Sequence, residues 1–415
     1  MKIHKSKFYS ALFICLLLLQ IYNPSFRVNI IIQGLVLMGF LLVEKITISK
    51  TFFKSIVPLL LVFAIGFLGI FLNKYKPVDV LKDCFYVGKP ILGLAIGYFF
   101  FSKINDYSIF VKSVVLAALL SAIFHVFYVV FTGAIFGSLS LIREFMRDNF
   151  LEMFALFMMY FYNLKEKNKL FKSKFVYNFV FRLILISCIL YFSRTMIITA
   201  IMLWLTLLGY AKLNAKSFRI IGIFSFSITM LYVYLFSIKI DRNEEGVRAL
   251  LFKIKNAPAE IFITKIDKED HKQLWDHWRG YEAARAFKLM SDSPSSYVFG
   301  CGHGSLINLK IFAPLTNDDK GLKYISEIHN GYVFILYKTG LIGFILYLYF
   351  IIILYLNVYK NSLMANFLGM IAIFYFFTTI TITGIFNKND TIIFILGGLL
   401  YFNSYTKFSL VNETN

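Results

Sequence analysis

Runs of about 17 or more apolar residues recur along most of this chain, and each is long enough to cross a bilayer as a helix. No other feature constrains the fold as strongly. In lipid the backbone must satisfy its own hydrogen bonds, so only helices or closed barrels can span. A barrel would show ten-residue segments of alternating polarity, and none is visible. Composition agrees: 59% of residues are hydrophobic and only 16% charged, with mean hydropathy +0.70. A soluble domain carries about 25% charged residues.

The apolar pattern predicts an all-α membrane protein with about 12 transmembrane helices. The expected spans are 8–22, 28–43, 56–72, 85–101, 109–131, 150–164, 175–192, 194–211, 217–237, 330–356, 363–383 and 391–406. The organisation is then 1–237 (nine spans), 238–328 (one large extracytoplasmic loop containing short helices) and 329–415 (three spans). Lys2, Lys5 and Lys7 precede the first run and no small-residue cleavage site follows, so an uncleaved first span is expected.

The net charge of +20 does not point to nucleic acid. The polar segment 238–328 is nearly neutral, with 14 Lys+Arg against 13 Asp+Glu. The excess lies in short connections. With the N-terminus inside, inner connections hold 18 Lys+Arg and short outer ones 9. That bias predicts cytoplasmic termini, and it places 238–328 outside. Membrane lipids are expected partners of the basic connections. The outer set includes Lys74, Lys76, Lys82, Arg143, Arg147 and Lys388. Cys15, Cys84, Cys188 and Cys301 show no CxxC or zinc-like spacing, and Cys15 and Cys188 read as buried small hydrophobes.

Chemistry concentrates between Trp275 and Gly343, where the polar segment meets the tenth span. His277, His303 and His329 lie in this stretch and, with His271 just upstream, make four of the six histidines. His329 stands at the junction, where an imidazole can exchange protons near neutral pH; from position alone, capping of the helix that starts at Asn330 suits it as well. Arg194 opens an apolar run, suited to a pyrophosphate or to an interfacial anchor. Apolar side chains at Trp275, Trp278, Ala283, Ala286, Phe287 and Met290 predict an amphipathic helix on the outer membrane surface, ended by Ser291, Asp292, Ser293 and Pro294. Arg279 and Arg285 lie on it, and Asp276 and Glu282 flank Arg279 at three-residue spacing, as in surface ion pairs. Lys89 is a candidate anion contact near the outer end of the fourth span. Gly300, Gly302 and Gly304 form GCGHG, which reads as a tight turn with His303 carried along, since no βαβ unit surrounds it. Asp318 and Asp319 look like solvated loop, and no cluster has metal-ligand spacing.

Four of these pieces, in this order, resemble the O-antigen ligase and O-antigen polymerase superfamily of bacterial membrane glycosyltransferases. They are SRT at 193–195, WRGYEAARAFKLMSDSP, FGCGHGS and HNGYVFILYKTGLIGF. The resemblance implies about 12 spans, a periplasmic loop between spans nine and ten, and the inner membrane as location. It implies His329 as general base on the acceptor hydroxyl. It implies Arg194 and Arg279, with Arg285 and Lys89 as further basic contacts, around the pyrophosphate of an undecaprenyl-linked glycan. The acceptor would be a lipid-linked repeat unit or lipid A core, and a chain-length regulator protein would be a further partner. No metal and no cofactor are implied.

Ligases of the superfamily often carry a second histidine two residues before His-Asn and a glutamate after it. Here the stretch reads Glu327, Ile328, His329, Asn330, Gly331. Both features are missing, which favours a polymerase of O-antigen or capsular repeat units over a ligase. A lipid-linked sugar flippase is the alternative of another class. Against it stand the single large outer loop and the absence of an internal half-to-half match.

Overall fold

A computed structural model describes residues 5–133, 150–165, 169–191, 193–241, 246–262, 276–314, 321–360 and 362–412. Lys2, Arg143, Arg147, His271, Trp275, Asp318 and Asp319 lie outside the described residues. The chain is mostly helical. The first half gives α1 (Lys5–Tyr22), α2 (Phe26–Val43), α3 (Lys50–Ile65), the short α4 (Leu68–Leu72), α5 (Pro77–Ile104) and α6 (Tyr107–Phe131). Then come α7 (Leu151–Lys165), α8 (Lys174–Leu190), α9 (Arg194–Leu207) and α10 (Ala215–Ser237). The polar segment holds α11 (Gly246–Phe262), α12 (Trp278–Ser291), α13 (Ser296–Phe299), β1 (Ile307–Ala313) and β2 (Leu322–Ile325). Last are α14 (Gly331–Tyr355), α15 (Leu363–Ile382) and α16 (Ile392–Asn412).

Among the described residues, eight helical segments are long and apolar enough to cross a membrane: Lys5–Tyr22, Phe26–Val43, Lys50–Phe71, Pro77–Ile104, Tyr107–Phe131, Ala215–Ser237, Gly331–Tyr359 and Leu363–Ile382. The protein is therefore a multi-pass membrane protein. Arg194–Leu207 and Ile392–Ser404 are shorter apolar helices. Polar caps start many of these elements. Ser25, Ser49, Asp106, Ser173, Asn214, Asn330 and Ser362 each accept from a backbone N–H two or three residues on.

The core is built around α5, which packs against α1, α2 and α16. Gly97 and Gly397 make the contact with α16 close: a Cβ on Gly97 would lie 2.1 Å from the Phe394 carbonyl oxygen, and one on Gly397 2.3 Å from that of Leu94. Small residues serve this purpose in membranes, where packing replaces the hydrophobic drive between helices. By contrast, nearly all of α10 is exposed, as lipid contact requires. It is tied near its ends, by Tyr355 donating to the Ala211 carbonyl and Tyr232 to that of Ile254.

Three expectations need correction. The polar segment contains an antiparallel hairpin, β1 with β2, besides helices, in a register of Ile307 with Ile325 and Ala313 with Leu322. The strands are short and irregular between Asn308 and Ala313, so no clean alternation marked them. Cys15 is exposed on α1, because a lipid-facing surface is as apolar as a core. The fourth span begins at Pro77, eight residues earlier than the apolar run alone suggests, and its added first turns carry the buried Asp83.

Candidate active site

Helix α12 carries the centre of the site. Its buried residues Trp278, Tyr281, Glu282, Ala286 and Met290 recur at three- and four-residue steps. The inward stripe therefore carries one carboxylate among apolar side chains. Tyr281 donates to the Leu309 carbonyl and Arg285 Nε to that of Asn308, at 2.8 Å for the arginine. Both bonds fasten α12 to β1. The helix packs on protein with this stripe.

Glu282 is 1% exposed and accepts two bonds from His329, from the backbone N–H at 3.0 Å and from Nδ1 at 2.9 Å. The carboxylate can only accept from the ring when ionised, so Nδ1 carries the proton and Nε2 is the basic nitrogen. The His329 side chain remains 49% exposed. Capping of α14 falls to Asn330, whose side chain accepts from the Tyr332 and Val333 N–H groups. Glu282 thus faces His329.

Arg279 turns instead to Glu260 of α11. Its Nη1 lies 2.9 Å from Oε2, while Nη2 of Arg194 lies 3.1 Å from Oε1 of the same carboxylate. Arg194 also donates to the Lys253 carbonyl. Two guanidiniums from separate elements thus meet at one point, and each remains about a third exposed. Glu282 lies one helical turn from Arg279 on α12, so one helix carries a member of each pair.

His329 opens onto a cleft of about 250 Å³, lined by Tyr86, Glu327, Ile328, Ile382, Thr383, Asn387, Lys388 and Asn389. Lys388 pairs with Glu327 at 2.6 Å, and Lys82 lies 3.9 Å from the same carboxylate. Lys89 stands behind the far wall. It is 2% exposed, twelve residues into α5, and donates to the carbonyls of Asn387 at 2.9 Å and Lys388 at 2.5 Å. Its ammonium is committed to backbone and positions the wall; it does not line the cleft. The early start of α5 is what moves it from the helix end to the interior.

The GCGHG turn locks the polar segment to the spans. Helix α14 breaks at Gly340, whose φ of 65° and ψ of −169° suit only glycine. The break frees two carbonyls: Tyr337 accepts from Cys301 N–H at 2.7 Å and Lys338 from Gly302 N–H at 3.0 Å. Below the turn, Lys338 pairs with Asp83 of α5 at 2.5 Å, both fully buried, and Gly304 N–H donates to the same carboxylate at 2.7 Å. His303 is buried too, and its Nε2 donates to the Phe63 carbonyl at 3.0 Å. It is therefore part of the turn's packing and was not simply carried along. Burial holds its imidazole below the usual range.

Glu260, Asp83 and Lys338 were not among the residues singled out by sequence, Glu282 was named only as an ion-pair neighbour of Arg279, and of the 383–391 connection only Lys388 was named. Each depends on a partner 20 or more residues away. The only signal was the inward phase of Glu282 with Trp278, Ala286 and Met290. No curated protein and no solved structure matches the chain. Residues 179–348 match the family model described as O-antigen ligase; that span runs from α8 through His329 into α14 and supports placing the chain in the O-antigen ligase and polymerase superfamily.

Proposed function

We propose that the protein is a glycosyltransferase that joins undecaprenyl-pyrophosphate-linked repeat units into O-antigen or capsular polysaccharide at the outer face of the bacterial inner membrane. The topology of this reading has about 12 spans, with cytoplasmic termini and the 238–328 segment in the periplasm. The helices at 151–165, 174–190, 194–207 and 392–412 supply spans beyond the eight long ones.

The observation that carries the reading is the pairing of half-exposed His329 with buried Glu282. The carboxylate fixes the tautomer and stabilises the imidazolium that forms when Nε2 takes a proton. The acceptor hydroxyl loses that proton to Nε2. Its oxygen forms a bond to the donor's anomeric carbon, and the bond from that carbon to the diphosphate oxygen breaks. In-line attack inverts the anomeric centre. The leaving lipid diphosphate carries charge, which Arg194 and Arg279 stabilise as bidentate donors. Glu260 marks where an anion sits between them. Arg285 holds α12 to the hairpin, and Lys89 holds the cleft wall.

His329→Ala should shorten cellular glycan chains, with turnover down about 100- to 10,000-fold at equal protein level. Unchanged long chains would defeat the catalytic role. The description of the matching family model favours a second reading, ligation to lipid A core. Purified protein with lipid-linked repeats alone should yield a ladder if it polymerises; a ligase forms product only when lipid A core is added.

A further inference from the structure

The arginine cluster and the cleft that His329 lines differ in the charge they present. The arginine cluster sets two guanidiniums against one carboxylate, which leaves it positive. The charged residues that line the cleft are paired with each other, Lys388 with Glu327 at 2.6 Å, and Lys82 lies 3.9 Å from the same carboxylate without lining it. We propose that this cleft is the acceptor subsite and that it takes an uncharged, hydroxyl-rich sugar ring, with Asn389 and the Glu327–Lys388 pair as its hydrogen-bonding contacts. The proposal rests on the glycosyl-transfer reading above and adds to it which wall selects the acceptor.

The chemistry of the lining matches a sugar. Thr383, Asn387, Asn389, Glu327 and Lys388 present both donors and acceptors, as a ring of hydroxyls requires, while Tyr86, Ile328 and Ile382 present apolar surface. An anionic group would have to break the Lys388–Glu327 pair or sit beside the Glu327 carboxylate; a neutral hydroxyl can bridge the two. The volume of about 250 Å³ falls just under the range of clefts for drug-sized ligands, which suits a single ring.

The wall is also built to hold still. Lys89 grips the Asn387 and Lys388 carbonyls from inside the bundle. The Asn387 side chain accepts from the Asn389 N–H at 2.8 Å. Asp390 accepts from Tyr375 at 2.7 Å and from the Ile392 N–H at 2.9 Å. A wall fixed by buried polar bonds presents its side chains in one arrangement, and selectivity between similar sugars requires that. Because His329 lines the same cleft, a ring held there lies beside the basic nitrogen.

The test uses full-length protein in nanodiscs and, as probe, the free repeat-unit oligosaccharide released from its lipid by mild acid. Binding is measured on the His329→Ala background, where no turnover consumes the probe. Adding Asn389→Ala, or Glu327→Gln with Lys388→Met, should weaken oligosaccharide binding about tenfold each at unchanged melting temperature. Inorganic diphosphate should not compete. Oligosaccharide binding that is absent from the start, unchanged in both variants, or displaced by diphosphate overturns the subsite. Polymer synthesis by His329→Ala itself would instead defeat the catalytic reading. If synthesis stops in His329→Ala while the cleft variants bind normally, only the subsite falls.

Discussion

Two clusters of ionic side chains tie the polar segment to the spans, and they are built differently. Asp83 and Lys338 lie wholly inside the protein, one acid to one base, with the Gly304 N–H and the Ser305 carbonyl completing their bonds. Arg194, Glu260 and Arg279 lie at the surface, two bases to one acid, each partly exposed. A buried pair has no route to exchange partners, because an unpaired charge there is too unfavourable. An exposed cluster with surplus charge can trade its carboxylate for another anion at little cost. The first is suited to pinning a turn and the second to receiving a diphosphate.

The sharpest way to break this comparison is Asp83→Asn. It strands the Lys338 ammonium and should destabilise by about 3–5 kcal/mol, read as a large fall in melting temperature in detergent. Asp83→Asn with Lys338→Met should recover most of the loss. If the single variant melts like the parent, the pair is not a pin.

Glu282→Gln should come next. Gln keeps the shape and can still accept from Nδ1, but it removes the negative charge opposite the imidazolium. Turnover should fall about 100-fold with little change in apparent donor affinity. Equal activity would mean that Glu282 serves packing alone.

Arg194→Lys and Arg279→Lys keep the charge and lose the fork. Each should raise donor KM about tenfold while melting temperature holds, the opposite balance to Asp83→Asn. Glu260→Gln sharpens the contrast, because donor binding should be retained or tighten once the resident carboxylate is neutral. A collapse of the fold in Glu260→Gln would make this cluster a second pin.

The smallest effect is a pH dependence at the turn. The His303 imidazole is buried neutral, and its Nδ1 finds no hydrogen-bond partner among the described residues. Its folded pKa lies below the unfolded value of about 6.5. Above that pH both states are neutral and nothing changes. As pH falls below it, the unfolded state binds the proton first, so stability declines by up to about 1.4 kcal/mol per pH unit until the folded group titrates. Melting at pH 7.5 and 5.5 should show this slope, and His303→Gln should flatten it.

Much of the fold was legible because lipid imposes a single rule. A spanning segment must be apolar and helical, so run lengths locate the long apolar helices, with α3 and α5 starting six and eight residues earlier than expected. The site was legible only in part. His329, Arg194 and Arg279 stand out because charged or titratable groups at the edge of apolar runs are conspicuous. Glu282 did not, because a glutamate three residues from an arginine on a helix has an ordinary local explanation. Its real partner is 47 residues away, and only the docking of α12 on β1 turns it inward.

The sequence by itself determined that this chain enters the membrane many times and gathers its polar chemistry between the ninth and tenth expected spans. Local rules of length, polarity and capping suffice for that. Tertiary structure decided which charges meet. Asp83 meets Lys338 across 255 positions because α14 breaks at Gly340 and lets the glycine turn dock there. Lys89 reaches the Asn387 and Lys388 carbonyls across 298 and 299 positions because α5 runs past the connection before α16. Electrostatic partnership depends on distance in space, and a sequence records only distance along the chain.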